Sequence, residues 1–247
     1  MKHANTPDPR DIVLASASPR RRELLAQLGL SFRLLANDAE EDLSDPPASI
    51  GAILPPLALP LNDHPTLRAW RKLDAACSHA PDSVIIGADT IVVLNNHVLN
   101  KPADAADARR MLRRLAGQTH TVYTGIALAD MRLYRHSRTA GEPGGLWFEL
   151  VASDVAVAAL SDDEIAAYVA TGEPLDKAGA YGIQGIGGRL VESVSGSYTS
   201  VVGLPLVQLH DLLGRAGVVV PVDPAAAYRR WLDAMGKEPL PWPPTLP

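Results

Sequence analysis

The sequence predicts an α/β fold, and three observations carry that expectation. Short apolar runs rich in Val and Ile alternate with segments of helical period. The helical segments carry start and stop signals at both ends, such as Ser18-Pro19 before one and Gly29 after it. The chain has 247 residues, 47% of them hydrophobic and 21% charged, which suits a soluble globular protein with room for a large core.

The elements follow in order. Ile12 to Ala15 reads as a buried strand. Ser18 is a hydroxyl N-cap, Pro19 takes the first helical position, Leu24, Leu25 and Leu28 form an apolar face, and Gly29 ends the helix. Ser31 to Leu35 is a second strand candidate. Residues 43–66 read as a long Pro-rich loop, and Leu67 to Ala76 as a helix. "SVIIGADTIVVL" reads as two strand-like runs around Gly87-Ala88-Asp89-Thr90, with Asn95-Asn96 making a hairpin turn. Pro102 opens a helix whose face is Ala105, Ala108, Leu112 and Leu115 and whose end is Gly117. Val122, Thr124, Ile126 and Leu128 alternate as in a strand, residues 130–147 read as a polar connector, and "FELVASDVAVAAL" is the next strand. Ser161 and Glu164 form a capping-box pattern before a helix that Gly172 closes. "AGAYGIQGIGG" must be loop or tight turns, and a last helix runs from about Pro205 to Leu213. The expected division is a domain over residues 11–217, an N-terminal extension over 1–10 and a Pro-rich C-terminal extension over 218–247.

Charge narrows the function classes. A net charge of −5 argues against binding nucleic acid through bulk electrostatics. A lone cysteine, Cys77, allows no internal disulfide and suits a reducing compartment. The apolar stretch "GAILPPLALPL" is too short to span a bilayer and is broken by Pro55, Pro56 and Pro60, and "MKHANTPDPR" has no signal-peptide core. There is no GxxxxGK[ST], no GxGxxG, no HExxH and no GxSxG.

One feature runs against helix electrostatics. Arg20, Arg21 and Arg22 crowd the first turn after Ser18, where the macrodipole is already positive and acidic residues are favoured. An anion at that helix start would explain them: backbone N–H groups, guanidinium groups and the Ser16 and Ser18 hydroxyls would all donate to it. The bland alternative, arginines solvated or paired elsewhere, stands at even weight for "SPRRR" alone. Asp89 on its own reads as a turn residue, Glu40 and Glu41 as a solvated loop, and Lys72 and Lys101 as surface lysines. Taken together they match what hydrolysis of a phosphoanhydride needs: carboxylates for a hard divalent cation and a water, and cations for phosphoryl oxygens.

The segments "LASASPRRRELLAQLG", "GADTIVVL", "VLNKP", "LAGQTHTVYTGIAL", "GEPLDKAGAYGIQGIGG" and "SYTSVVGLPL" resemble, in that order, the Maf family of nucleoside triphosphate pyrophosphatases. The resemblance implies a mixed sheet flanked by helices, with a cleft between two lobes, similar to inosine triphosphate pyrophosphatases. It implies hydrolysis of nucleoside triphosphates to monophosphate and pyrophosphate with a divalent metal, Mg²⁺ or Mn²⁺, in a cytoplasmic and often dimeric protein with no nucleic-acid or membrane partner. On this resemblance Asp89 is the catalytic proton acceptor. Ser16, Ser18, Arg21, Lys72 and Lys101 bind phosphate, and Glu41 and Asp89 hold the metal. Arg20, Thr90 and Gln184 match the subgroup acting on dTTP and UTP. The subgroup acting on 7-methyl-GTP resembles SPW, a Gln after the Asp, and Glu in the later motif. The segment between Glu41 and Lys72 is longer than the family pattern, which makes Lys72 the least anchored assignment. The alternatives are a nucleotide-binding regulator of cell division and septum formation with weak turnover, and a pyrophosphatase for 7-methyl-GTP.

Overall fold

A computed structural model describes residues 10–140 and 144–236. Residues 1–9 and 237–247, most of the first extension and the end of the second, lie outside the described residues.

The elements are β1 (Ile12–Ala15), α1 (Pro19–Gln27), β2 (Arg33–Leu34), α2 (Ala48–Gly51), α3 (Pro65–Ala76), β3 (Val84–Leu94), β4 (His97–Leu99), α4 (Ala105–Leu115), β5 (Thr119–Asp130), α5 (Met131–Ala140), β6 (Leu146–Val157), α6 (Asp162–Ala170), β7 (Val191–Ser195), α7 (Tyr198–Val202), α8 (Leu206–Arg215) and α9 (Pro224–Ala234). The strands form one mixed sheet in the order β2-β1-β3-β5-β6-β7, with β4 also on β3. β1 runs parallel to β2 and β3, and the other pairs are antiparallel. The α/β expectation is borne out.

Alternation along the strands sorts two cores. Ile12, Leu14, Val84 and Ile86 face a core shared with α1, α4, α6, α8 and α9. Val13, Ala15 and Ile85 face a smaller core with α2, α3 and α5. α9, beyond residue 217, buries Ala227, Tyr228, Trp231 and Leu232 in the larger core.

Local capping chemistry sets many element boundaries. The Ser18 hydroxyl accepts from the Arg21 amide at the start of α1. Ser161 and Glu164 close a reciprocal capping box on α6. Asn95 and Asn96 take φ of 51° and 61°, the left-handed pair that a tight hairpin needs, and join β3 to β4.

Four local readings need correction. "SVIIGADTIVVL" is one continuous strand, not two runs, because β5 pairs with it without a break from Val84 to Val93. The stretch at 43–66 is not structureless. It contains α2 and a 3-10 turn at Leu61–Asp63, and His64 caps α3 by accepting from the Thr66 amide, with Pro65 at the first helical position. The helix after Pro102 starts only at Ala105, because the Asp104 carboxylate caps it on the Asp107 amide. The connector after Asp130 carries α5.

α3 lies unusually close to the sheet. A Cβ on Gly87 of β3 would sit 2.1 Å from the Ala69 carbonyl oxygen, and one on Gly125 of β5 would sit 2.3 Å from the Thr66 amide nitrogen. No side chain fits at either position without moving the helix.

Two predictions follow from packing and burial. Gly87→Ala lowers the thermal midpoint by on the order of 5 °C or more, since overpacking of ~1–3 kcal/mol has no flexible side chain to absorb it. Gly214→Ala, on an open face of α8, raises it slightly instead. Equal midpoints for the two variants would contradict the close approach. The second concerns His120 of β5, 2% exposed, whose imidazole pKa burial pulls down to about 4. Folded His120 stays neutral while the unfolded chain takes a proton below its ordinary ~6.5, so stability is lost as pH falls from about 6.5 to 4. The loss from this group is on the order of 3 kcal/mol, and His120→Asn flattens the dependence, as read by denaturant titrations at pH 7 and 4.5.

Candidate active site

β3 has different neighbours along one edge. Val84 to Gly87 pair with β1, and Val92 to Leu94 pair with β4. Between these pairings, at Ala88 to Ile91, the sheet forks on that side, while β5 keeps the other side paired. The chain leaves β1 at Ala15 and passes through Ser16 to Ser18 into α1 at the fork. A cavity of about 390 Å³ opens there, lined on its polar side by Ser16, Ser18, Arg20, Lys72, Asp89 and Lys101. Tyr181, Ile183, Val201 and Val202 contribute apolar lining. Open sheets bind ligands at such switch points because strand ends diverge there.

Asp89 and Thr90 are consecutive on a strand, so their side chains point to opposite faces, and the fork lets groups from both faces meet. On the α3 face, Asp89 is 7% exposed. Lys72 Nζ donates to its Oδ1 at 2.8 Å and reaches Glu40 Oε1 at 2.9 Å. Arg68, one turn earlier on α3, places Nη1 3.6 Å from Asp89 Oδ2. Asp89 Oδ2 and Glu40 Oε2 are buried without a hydrogen-bond partner. Glu40 is brought in by a 3-10 turn at Ala39–Glu41 that Asn37 anchors, donating to the Lys72 carbonyl at 3.1 Å and accepting from the Ala39 amide.

On the other face, Arg21 is 8% exposed and each of its three side-chain nitrogens donates a hydrogen bond. Nε donates to the Gly203 carbonyl at 2.8 Å, Nη1 to Ser16 Oγ at 3.3 Å and Nη2 to Thr90 Oγ1 at 3.1 Å. Burial lowers its pKa from the usual arginine value, opposed by the Asp89 and Glu40 charges, and a guanidinium remains charged. Thr90 in turn meets Thr124 Oγ1 at 2.9 Å, and Thr124 donates to the Ser200 carbonyl at 2.8 Å. Arg20 reaches across to Asp176 at 3.9 Å, while Arg22 is exposed and off the cavity.

The glycine-rich segment forms turns, as expected, and closes the far wall. Glu173 accepts from the Ile186 amide at 2.9 Å, the Gly187 amide at 3.1 Å and the Tyr168 hydroxyl at 2.9 Å. Lys177 lines the cavity and is held by the Glu173 carbonyl at 3.0 Å and Asp176 at 2.6 Å. The Tyr181 hydroxyl sits 2.8 Å from His120 Nε2, and burial pushes its pKa up.

The structure therefore brings together Ser16, Ser18, Arg20, Arg21, Lys72, Asp89, Thr90 and Lys101. It does not bring in Glu41 or Gln184. Adjacent residues of a 3-10 turn point about 120° apart, so when Glu40 faces Lys72, Glu41 is exposed. Gln184 turns its amide to Met235 Sδ, 3.7 Å away, past the end of α9. Sequence reasoning missed Arg68, Asn37, Asp176 and Lys177. An i, i+4 spacing of Arg68 to Lys72 was the signal available for Arg68.

Among the described residues, no group of three or more His, Cys, Asp and Glu could hold a metal by itself, and no helix is long and apolar enough to cross a membrane. The comparisons agree with the geometry. The family model for Maf-like proteins matches residues 11–216. A dTTP/UTP pyrophosphatase of Escherichia coli O157:H7 is 48% identical over 202 residues, 82% of this chain and 91% of the relative. A Shigella dysenteriae protein of the same name is 47% identical over 203 residues, with the same coverage of 82% and 91%. One from Pelotomaculum thermopropionicum is 43% identical over 208 residues, 84% of this chain and 97% of the relative. A match of that extent, laid over a forked sheet with its carboxylates and cations at the fork, places the chain in the Maf family.

Proposed function

We propose that the chain is a nucleoside triphosphate pyrophosphatase that hydrolyses dTTP and UTP to the monophosphate and pyrophosphate. The observation that carries the reading is Asp89, a buried carboxylate with one oxygen on Lys72 and the other without a hydrogen bond, in a cavity lined with cations. The names of the relatives support the choice of nucleotide.

In this mechanism the triphosphate lies against the start of α1, where the Ser16 and Ser18 hydroxyls and Arg20 face the cavity. Lys72, Lys101 and Lys177 neutralise phosphoryl oxygens. Arg21 acts as a fixed positive charge in the wall, because bonds to Ser16, Thr90 and Gly203 hold all three of its nitrogens in place. Oδ2 of Asp89 accepts a proton from water. The water oxygen bonds to the α-phosphorus, the bond from that phosphorus to its β-bridging oxygen breaks, and the electron pair leaves with pyrophosphate.

A divalent cation fits the donor set. Glu40 carries a buried oxygen, Oε2, with no hydrogen-bond partner, and Mg²⁺ commonly takes one or two protein carboxylates with substrate phosphates and water, so Glu40 would hold the cation while Asp89 Oδ2 stays free to take the proton. When bound, it would spread the negative charge of the phosphoryl oxygens. Glu40 takes the role that the resemblance assigned to Glu41, since it lines the cavity. A homodimer and a cytoplasmic location belong to the same proposal and rest on the resemblance alone.

The test is pyrophosphate release over a nucleotide panel. The wild type prefers dTTP and UTP over CTP and GTP by roughly ten- to hundredfold in kcat/KM, the scale of one lost polar contact. Asp89→Asn lowers kcat by ~10²- to 10⁴-fold and leaves a cooperative melt. A folded Asn variant with near-normal turnover would remove Asp89 from the role of base.

Activity is also expected to require Mg²⁺ or Mn²⁺ and to vanish in excess chelator. With one protein carboxylate available to it, the cation binds mainly with the nucleotide. Chelator therefore leaves the melting point of the nucleotide-free protein unchanged. Full turnover in chelator would exclude the cation from the reaction.

A further inference from the structure

α9 lies beyond residue 216, where the family match ends, yet it is built into the back of the cleft. Its Tyr228 and Trp231 are 1% and 2% exposed. They pack around Tyr198 of α7, with ring centroids 6.2 Å and 6.0 Å from it and 6.3 Å from each other. The Tyr198 hydroxyl donates to the Ile183 carbonyl at 3.2 Å, and Ile183 lines the cavity. The next residue, Gln184, donates its amide to Met235, the C-cap of α9. Two successive residues of the wall thus lean on one helix, one through its backbone and one through its side chain.

This segment cannot hold itself. Residues 182–188 contain four glycines and no α-helix or strand, only the start of a 3-10 turn at Ile186–Leu190, so the backbone before it has little local support. Glu173 pins the later part at Ile186 and Gly187. The earlier part, Ile183 and Gln184, is supported by Tyr198 and α9. Ile183 belongs with Tyr181, Val201 and Val202 to the apolar lining, which suits a nucleobase better than a triphosphate, and Gln184 stands behind it, off the cavity.

We propose that α9 is a specificity element of the nucleotide cleft: through Met235, which holds Gln184, and through the Tyr198–Tyr228–Trp231 packing it sets where Ile183 stands against the base. The proposal rests on the pyrophosphatase reading above. Thioether sulfur is a weak acceptor, so Met235 guides the Gln184 amide without locking it. α9 also packs against α1, so a purely structural role would disturb the phosphate end as well and lower kcat for every nucleotide alike.

Met235→Ala in the full chain is the direct test, because Met235 is only partly buried and its loss leaves the core intact. Trp231→Phe, which keeps an aromatic ring, is the second variant. The readouts are kcat and KM for dTTP, UTP, CTP and GTP, and amide hydrogen exchange over residues 182–188. The expected result for Met235→Ala is a fall in the dTTP-over-GTP ratio of about three- to tenfold, carried by KM, with faster exchange in 182–188 and a nearly unchanged melting point. Trp231→Phe moves the ratio in the same direction. An unchanged ratio in both variants overturns the proposal, as does an equal loss of kcat across all four nucleotides, which would mean that α9 supplies stability alone. If the wild type releases no pyrophosphate from any of them, the pyrophosphatase reading fails. The ratio of dissociation constants for the same nucleotides, measured by calorimetry, then decides the role of α9 by the same criterion.

Discussion

The approach of α3 to the sheet at Gly87 and Gly125 is the constraint on which the site depends. Both glycines stand where a Cβ would collide with helix backbone. At this distance Lys72 reaches the Asp89 carboxylate from one turn of α3 and Arg68 from the turn before. Gly125 is also the β5 residue paired with Asp89, so the missing side chain is directly beside the buried carboxylate. A buried ion pair of this kind is a weak source of net stability. It is costly to break on one side only, because the remaining charge has no water to replace its partner. The site therefore depends on helix placement more than on any single charge in it.

The sheet fork distributes labour between the two faces. The α3 face carries the carboxylates. The α1 face carries hydroxyls and arginines, and the three consecutive arginines have three separate fates: Arg20 at the cavity, Arg21 locked into the wall and Arg22 in solvent. The cationic first turn of α1 is thus explained in part by architecture. Arg21 ties the helix to β3 through Thr90 and to the turn after α7 through Gly203. Arg21 therefore holds β1, β3 and α7 together at the mouth of the cavity.

What the sequence made legible was local. The Ser18 cap, the Asn95-Asn96 turn and the Ser161–Glu164 capping box need only a few neighbouring residues, and each appears in the structure. The cleft members Ser16, Ser18, Arg20, Lys72, Asp89 and Lys101 were legible through motif resemblance, and they converge. What stayed hidden depends on tertiary register. The continuity of β3 is decided by β5, far along the chain. The choice between Glu40 and Glu41 is decided by the phase of a 3-10 turn that Asn37 anchors to α3. The orientation of Gln184 is decided by a helix beyond the family segment.

The two sides of the fork come from very different distances along the chain. β4 follows β3 through a two-residue turn, whereas β1 must cross the whole of α1, α2 and α3 to pair with it. Closing a short loop costs less entropy than closing a long one, and contacts near in sequence form sooner. The hairpin side of the fork is therefore available early in folding, and the β1 side is completed by long-range docking. Until that docking occurs, Asp89 has no opposing Ser16 or Arg21 and the cleft does not exist. A partly folded chain that has the hairpin but not β1 has half a fork and no cavity to hold a ligand.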